Sequence, residues 1–176
     1  MTNGRSHSSG HRPPERGFQQ GSREAQPAQP AGPTIEVADI RFGAGLTETI
    51  FADIAQNKAR VVAEAGDRNN TNRSTQLRKF YDELVMWHEK VNVVSSAGMC
   101  QQEARQTRYQ DVAPYIKMMI AKVAYARGRK HVDDCFEKLF THVVRQIGDP
   151  LTLRHAKLFM EAFMGFYKAE EKGKEN

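Results

Sequence analysis

Cationic side chains cluster at the end of one amphipathic segment, residues 112–131, which reads VAPYIKMMIAKVAYARGRKH. Helical spacing places four apolar residues on one face, namely Ile116, Met119, Ile120 and Val123. The opposite face carries Lys122, Tyr125 and Arg129. Cations around an aromatic ring suit a polyanion, and the nucleic-acid backbone is the commonest one. The alternative interpretation is a solvated helix face with a basic end, because charge runs usually serve solubility.

Positive charge is concentrated in two parts of this chain of 176 residues, whose formal net charge is +5. Residues 95–131 hold seven lysines and arginines against two acidic residues, and residues 1–33 hold four against two. Residues 34–94 and residues 132–176 each carry one excess negative charge. Because a clustered field attracts a polyanion and a scattered one does not, this distribution favours a nucleic-acid partner.

Apolar residues recur at helical spacing through most of the chain and predict an all-α fold, a compact bundle of about five helices. The clearest period lies in residues 132–147, with apolar side chains at Val132, Cys135, Phe136, Leu139, Phe140, Val143, Val144 and Ile147. The predicted helices cover residues 46–65, 74–91, 112–131, 132–147 and 152–169.

Residues that commonly cap or end helices set the expected helix boundaries. Gly66 is expected to end the first helix, since glycine readily adopts the left-handed conformation that follows a helix. Ser74 and Thr152 are expected to cap the second and the last helix. Pro114 is expected in a first helical turn, where its missing N–H would be unpaired in any case. The polar residues 99–110 would then form either a helix lying on the surface or a partly mobile segment.

Composition divides the chain into four predicted regions. The opening region is rich in Arg, Pro, Gln and Ser and cannot bury enough apolar surface to order itself. It is followed by an extended lead-in that packs Ile40 and Phe42 against the body of the protein. The regions are a disordered tail at 1–33, the lead-in at 34–45, the helical bundle at 46–169 and a frayed charged end at 170–176.

Cysteine usage and hydropathy bear on the compartment. Cys100 and Cys135 form no disulfide framework and fit a reducing environment. No run approaches the roughly 20 apolar residues that a membrane helix needs. The first ten residues, MTNGRSHSSG, lack the apolar core of a secretory signal. A cytoplasmic protein with no membrane partner is therefore expected.

Residues that could perform catalysis or hold a metal are sparse. His131, Cys135 and His142 are the best candidate ligands, but a structural zinc site requires four ligands and Cys135 lies on an apolar face. No nucleophile, base and orienting group share a recognisable spacing, and no glycine-rich phosphate loop follows a strand. We therefore expect neither an enzyme nor a metal or cofactor site.

Two functions remain open from the residues alone. The first is a nucleic-acid binder that grips phosphates with Arg and Lys and does not read bases. The second is a helical assembly protein that docks partner proteins through exposed Met99, Met118 and Tyr109. Salt distinguishes them, because phosphate binding weakens steeply as salt rises whereas an apolar interface hardly responds.

Three motifs carry a family resemblance. They are NTNRSTQLRKFYDEL in the 69–84 region, YARGR at 125–129 after an apolar helix, and LFMEAFMGFYK at 158–168. Together, over roughly residues 46–168, they resemble the small helical subunit of the type III-A CRISPR effector, the Csm complex. The small subunit of type III-B effectors is a similar bundle and is the nearest alternative.

The resemblance implies a role in RNA-guided antiviral defence. It implies an all-α subunit present in more than one copy, stacked along the guide RNA and in contact with neighbouring subunits. Such subunits touch the backbone of the guide and target RNA and have no catalysis of their own. Base pairing supplies specificity in such complexes, so this subunit would read phosphates and A-form shape.

The expected RNA-binding residues come from the motifs and from charge. The motif positions are Arg78, Lys79, Arg127 and Arg129. Charge and expected exposure add Lys122, Lys130 and Arg73, followed by Arg105 and Arg108. Arg78 and Lys79 have a competing interpretation as surface cations that are neutralised within their own helix. A spacing of four residues would pair Arg78 with Asp82 and Lys79 with Glu83.

Overall fold

The computed structural model describes residues 33–93 and 100–172, together with Met1. Within these residues there are five α-helices and no β-strand, which confirms the all-α bundle. The predicted disordered tail lies outside the described residues apart from its two ends, Met1 and Pro33. The helices are α1 (Ala55–Asn69), α2 (Ser74–Asn92), α3 (Gln101–Gly128), α4 (Asp134–Arg145) and α5 (Pro150–Lys172).

Helix α4 supplies the centre of the hydrophobic core. All eight apolar residues predicted between positions 132 and 147 are buried. Phe136 is fully buried, with its ring centre 5.7 Å from that of Phe80 and 6.2 Å from that of Phe163. Asp133 caps the helix, because its side chain accepts a hydrogen bond of 2.9 Å from the Phe136 N–H. Helix α4 is thereby fixed against α2 and α5 through aromatic contacts.

The segment before the helices packs on this core as expected. Ile40 is fully buried and Phe42 is 8% exposed. Gln146 holds their backbone from both sides, since its Oε1 accepts from the Phe42 N–H and its Nε2 donates to the Ile40 carbonyl. Lys58, itself buried, reaches Asp39 of the same segment over 2.6 Å. The lead-in is therefore an integral part of the bundle.

Helix α1 begins and ends later than predicted. A π-helical turn, Ile50–Ile54, precedes it, and Leu46 is exposed where the helical pattern expected burial. The chain leaves α1 at Asn70, which has a φ of 53°, and not at Gly66. Gly66 is a glycine for another reason, because a Cβ there would lie 2.8 Å from the Cβ of Asn72. The glycine reflects close approach of the following loop.

Helix α3 is a single helix of 28 residues with Pro114 inside it, so the expected break before residue 112 is wrong. Contacts on both sides of the proline hold the helix to α4. Before it, Tyr109 is buried and donates to the Ile147 carbonyl over 3.2 Å, which also corrects the expectation that Tyr109 is an exposed docking residue. After it, Lys117 Nζ donates to the Val144 and Ile147 carbonyls over 2.8 and 2.6 Å. Tertiary contacts thus override the local proline signal.

The expected caps of α2 and α5 are replaced by other residues. Ser74 is the first residue of α2, and its N–H donates to Glu171 Oε1 of α5 over 3.1 Å. Asp149 caps α5 by accepting the Thr152 N–H over 2.7 Å. Helix α5 extends three residues beyond its predicted end, and residues 173–176 lie outside the described part. Among the described residues, no helix combines the length and apolar character needed to cross a membrane.

Candidate nucleic-acid interface

Helices α2 and α3 share an exposed surface that carries part of the predicted cations. Lys122 Nζ of α3 donates to Glu83 Oε1 of α2 over 2.6 Å. The rings of Trp87 on α2 and Tyr115 on α3 stack, with centres 5.6 Å apart and an interplanar angle of 14°. The two helices are antiparallel, since position rises along one as it falls along the other. We call the surface defined by these four residues the α2–α3 face.

Three predicted cations lie on the two chain segments that join at one end of this face, where α3 ends and α2 begins. The Asn72 N–H donates to the His131 carbonyl over 3.1 Å, which brings their neighbours in sequence together. Those neighbours include Arg73, Arg129 and Lys130, and all three are exposed. None of the three forms an ion pair with another residue that the structure describes. We call these three residues the basic end.

Local backbone and neutral partners position the basic end. Lys130 has a φ of 58° and turns the chain out of α3. Arg129 Nη1 donates to the Tyr125 hydroxyl over 3.1 Å, and its guanidinium lies 5.7 Å from the centre of that ring. Arg73 Nη2 donates to Asn70 Oδ1 over 3.2 Å. Each arginine is oriented by an uncharged group, so its full charge remains available to an anion.

Arg127 lies close to the basic end in sequence but already has acidic partners. Its Nε donates to Asp134 Oδ1 over 2.5 Å and lies 3.6 Å from Glu137 Oε2. The hydrogen bond and charge of Asp134, helped by the charge of Glu137, raise the pKa of Arg127. Exposed ion pairs are weak, so a phosphate can compete for this arginine. Its positive field is nevertheless partly neutralised before any ligand arrives.

Arg78, another predicted cation, faces α5. It lines a surface groove with Tyr81, Glu161 and other residues of α2 and α5. Its Nε donates to Asp82 Oδ1 over 2.8 Å, which confirms the expected pair within the helix. The hydrogen bond and charge of Asp82 raise the pKa of Arg78. The two cations of the QLRKF motif therefore belong to different surfaces.

Lys79 is the motif cation on the α2–α3 side. The expected pair between Lys79 and Glu83 is wrong, because Glu83 is bound by Lys122 across the helix interface. Lys79 is exposed, and its Nζ donates instead to Gln76 Oε1 over 3.3 Å. Spacing within α2 could not reveal that Glu83 pairs with a lysine of α3 and not with Lys79. Lys79 consequently adds charge to the α2–α3 face.

Arg105 and Arg108 lie towards the start of α3, away from the basic end. Arg108 donates to the carbonyls of Val91 and Val93 over 3.0 and 2.5 Å, where α2 ends. Cations at a helix C-terminus complement its dipole, so this contact gives Arg108 a structural role. Arg105 is exposed and lines a cleft of about 760 Å³ between α2, α3 and the start of α5, together with Arg154.

Exposed aromatic and apolar side chains accompany the cations of the α2–α3 face. Tyr115 is 52% exposed, Met118 49% and Tyr125 66%. Trp87 is half-buried and packs against the core, with Lys90 Nζ 4.6 Å from its ring centre. Sequence reasoning placed Met118 and Tyr125 outside but missed Tyr115. The signal was present, because residues 115, 118, 122, 125 and 129 recur at helical spacing.

Two of the three candidate metal ligands, Cys135 and His142, contact backbone carbonyls instead. Cys135 is buried, and its Sγ donates to the Pro33 carbonyl over 2.9 Å. Burial raises the pKa of this thiol, which disfavours the thiolate that a metal requires. His142 Nε2 lies 3.0 Å from the Ile40 carbonyl. Within residues 33–93 and 100–172, no three His, Cys, Asp or Glu side chains are grouped to hold a metal ion.

A comparison with models of known protein families matches residues 52–173 to the family described as Csm2 Type III-A. The match covers all five helices and the three motifs on which the resemblance rested, and it confirms that resemblance. Comparisons with curated proteins and with solved structures gave no match. The all-α bundle, the motifs and the family match lead to one conclusion: this chain belongs to the Csm2 Type III-A family and is a small subunit of a type III-A CRISPR complex.

Proposed function

We propose that this subunit holds the backbone of guide or target RNA without reading its sequence, through the basic end and the lysines beside it. The observation that supports the proposal is the backbone hydrogen bond that joins the segments bearing Arg73 and Arg129–Lys130 at one end of the α2–α3 face. None of these three cations has an acidic partner among the described residues. Lys79 extends the positive surface along that face, and Lys122, which is paired with Glu83, lies further along it.

The proposed mechanism is non-catalytic. Arginine and lysine bind phosphate oxygens by charge and hydrogen bonds, and this binding carries no base information. A subunit that serves many guides benefits from that indifference, because pairing with the guide supplies the sequence specificity. Each copy would contribute a few phosphate contacts, and several copies packed along one RNA in the cytoplasm would add them through avidity. Cleavage would belong to other subunits.

A second function is supported by the ion pairs. Lys122 and Arg127 are bound to Glu83 and Asp134, so part of the predicted RNA surface is already compensated. In this alternative the chain is a scaffold that docks neighbouring subunits, and exposed Met118 would lie in a protein interface. Such a scaffold would make no direct contact with RNA.

Binding to unrelated RNA sequences across a salt series tests the proposal. The purified chain and the assembled complex are both measured, as wild type and as the double variant Arg129→Gln, Lys130→Gln. The matched control is Arg41→Gln, Arg60→Gln, which removes the same charge from exposed positions on the lead-in and α1. We expect equal affinity for unrelated sequences. The slope of log K against log salt should fall by about 0.7 for each single-strand phosphate that the basic-end variant no longer neutralises.

The control variant distinguishes phosphate contacts made by the basic end from a general effect of lowering the net charge of the protein. Arg41→Gln, Arg60→Gln should leave the slope unchanged. If both double variants reduce the slope equally, the basic end is not the RNA site. If wild type binds no RNA as a purified chain, and the basic-end variant retains target RNA normally within the complex, the scaffold function is the correct one.

A further inference from the structure

One side of α3 presents aromatic, apolar and cationic side chains in a narrow band. We call this band the α3 stripe, defined by Tyr115, Met118, Lys122, Tyr125 and Arg129. At 100° per residue these positions fall within about 80° of one another around the helix. All five side chains are exposed, with Tyr125 the most exposed tyrosine at 66%. Large exposed aromatic side chains grouped in this way usually mark a binding surface.

The two tyrosine rings are held in place by their neighbours. Tyr115 stacks on Trp87, and half of its surface remains open to solvent. Tyr125 is held by Arg129, which bonds its hydroxyl and lies 5.7 Å from the ring centre. A ring that is already oriented loses less conformational entropy when a ligand stacks on it. Both rings are therefore suited to receive a flat ligand.

The charges around the stripe favour a nucleic acid over a protein. Lys90, Lys122 and Arg129 lie on or beside the rings, and Glu83, the acid that contacts this group within the described part of the chain, is bound to Lys122. An apolar protein surface would bury Lys90 and Arg129, which have no acidic partner among the described residues, at a substantial desolvation cost. Single-stranded RNA offers phosphates for the cations and bases for the rings. Duplex RNA offers the phosphates, but its bases are already stacked on one another.

We propose that the α3 stripe stacks unpaired bases of single-stranded RNA on Tyr115 and Tyr125. The two Cα atoms are about 15 Å apart along the helix, so the rings would receive separate bases of one strand. This inference rests on the proposed RNA function and deepens it by naming the ligand as unpaired RNA. Aromatic stacking is indifferent to base identity, so it is compatible with many guides.

Binding of the full chain to a labelled oligouridylate and to a blunt RNA duplex of equal length tests the inference. Tyr125→Ala is expected to weaken oligouridylate binding about 5- to 150-fold at every salt concentration. The slope against salt should stay unchanged, since every phosphate remains neutralised as in wild type. Duplex binding should fall far less than oligouridylate binding, because Arg129 keeps its charge although it loses its hydrogen bond to the Tyr125 hydroxyl. Tyr125→Phe, which keeps the ring and removes the hydroxyl, should retain most of the affinity, and Tyr115→Ala should behave like Tyr125→Ala.

The outcomes separate this inference from the proposed function. If basic-end variants lower the salt slope but Tyr125→Ala leaves oligouridylate affinity unchanged, stacking is wrong and the phosphate grip stands. Equal losses on single strands and duplexes, or no rescue by Tyr125→Phe, also overturn stacking. Failure of the wild-type chain to bind oligouridylate at low salt counts against it in the same way. If Tyr125→Ala blocks assembly into the complex while RNA binding is normal, the stripe is a protein interface.

Discussion

Asn72 Oδ1 accepts a hydrogen bond of 2.9 Å from the Asp133 N–H, joining the loop before α2 to the first turn of α4. Asn72 is fully buried and has a φ of 57°. Its Nδ2 donates to the Val62 carbonyl over 3.1 Å, and its own carbonyl accepts from the Tyr167 hydroxyl. One residue thereby joins α1, α4 and α5 directly beneath the basic end. The placement of that end depends on this junction.

Asn72→Ala is expected to lower the free energy of unfolding by about 2–4 kcal/mol. The change leaves the Asp133 N–H without its side-chain partner, removes the side-chain hydrogen bond to the Val62 carbonyl, and places alanine in the left-handed region, which asparagine tolerates better. Asn72→Gly loses the same hydrogen bonds but tolerates the backbone conformation, so it should cost about 1 kcal/mol less. Urea unfolding of both variants measures these differences. Wild-type stability in both would show that the junction is not structural.

Glu171 should contribute a pH-dependent part of the stability. Burial alone would raise its pKa, but hydrogen bonds from Lys168 and Ser74 hold the pKa below its ordinary value of 4.5. The unfolded chain therefore takes up this proton first as the pH falls. The contribution is present above pH 4.5 and is lost as the pH falls through the folded pKa. Glu171→Gln should flatten this part of the curve of stability against pH, whereas Glu48→Gln, at an exposed position, should leave it unchanged.

Pro114→Ala is expected to stabilise the protein by about 1–2 kcal/mol, because it restores a hydrogen bond inside the continuous helix α3. The gain is reduced by the greater freedom of the unfolded chain that alanine allows. Pro150→Ala is the matched control, since Pro150 is the first residue of α5, where its missing N–H costs nothing. The melting temperatures of both variants, measured by thermal unfolding, show whether replacing Pro114 stabilises the protein. Equal small losses in both would place Pro114 at a helix start.

Arg127 and Arg129 should differ in their effect on RNA, although they share one motif. Arg129→Gln removes a cation without an acidic partner among the described residues and should lower the salt slope by about 0.7 on single strands. Arg127→Gln removes a cation already bound to Asp134 and Glu137 and should lower it less. Changing both to Glu should weaken retention of target RNA while circular dichroism stays unchanged. The reverse order of effects would place Arg127 in direct contact with phosphate.

Phe136→Ala is expected to lower the free energy of unfolding by about 3–5 kcal/mol, since it leaves a cavity at the centre of the core. The rings of Phe80, Phe140 and Phe163 would each be deprived of an aromatic neighbour. Phe136→Leu keeps most of the apolar volume and should cost less. The melting temperature of each variant gives the comparison, and an unchanged value for Phe136→Ala would show that α4 does not carry the core.

The fold was largely predictable because the periodic pattern of α4 reports burial directly. Boundaries were less predictable where a contact from elsewhere in the chain overrides a local signal. Gly66 is a glycine because Asn72 packs against it, and Pro114 stays helical because Tyr109 and Lys117 anchor both sides of it. None of these contacts can be predicted from the residues next to Gly66 or Pro114 in the sequence.

The sequence predicted which cationic residues the candidate site contains, but it did not predict which acidic residues pair with them. Helical spacing found the cations of α3 but could not show that Glu83 binds Lys122 and not Lys79, because that choice depends on how two helices meet. Arg108 shows the same limit. Its charge suggested RNA, whereas its position assigns it to the end of α2.

The length of helix α3 sets a fixed distance between the two ends of the helix. The helix continues without a break through Pro114, and Tyr109 and Lys117 bind the Ile147 carbonyl, just after α4, from both sides of that residue. Arg105 near its start and Arg129 at its end are consequently separated by about 36 Å along the helix axis. Two partners bound at opposite ends of α3 would be kept at that spacing by the protein itself.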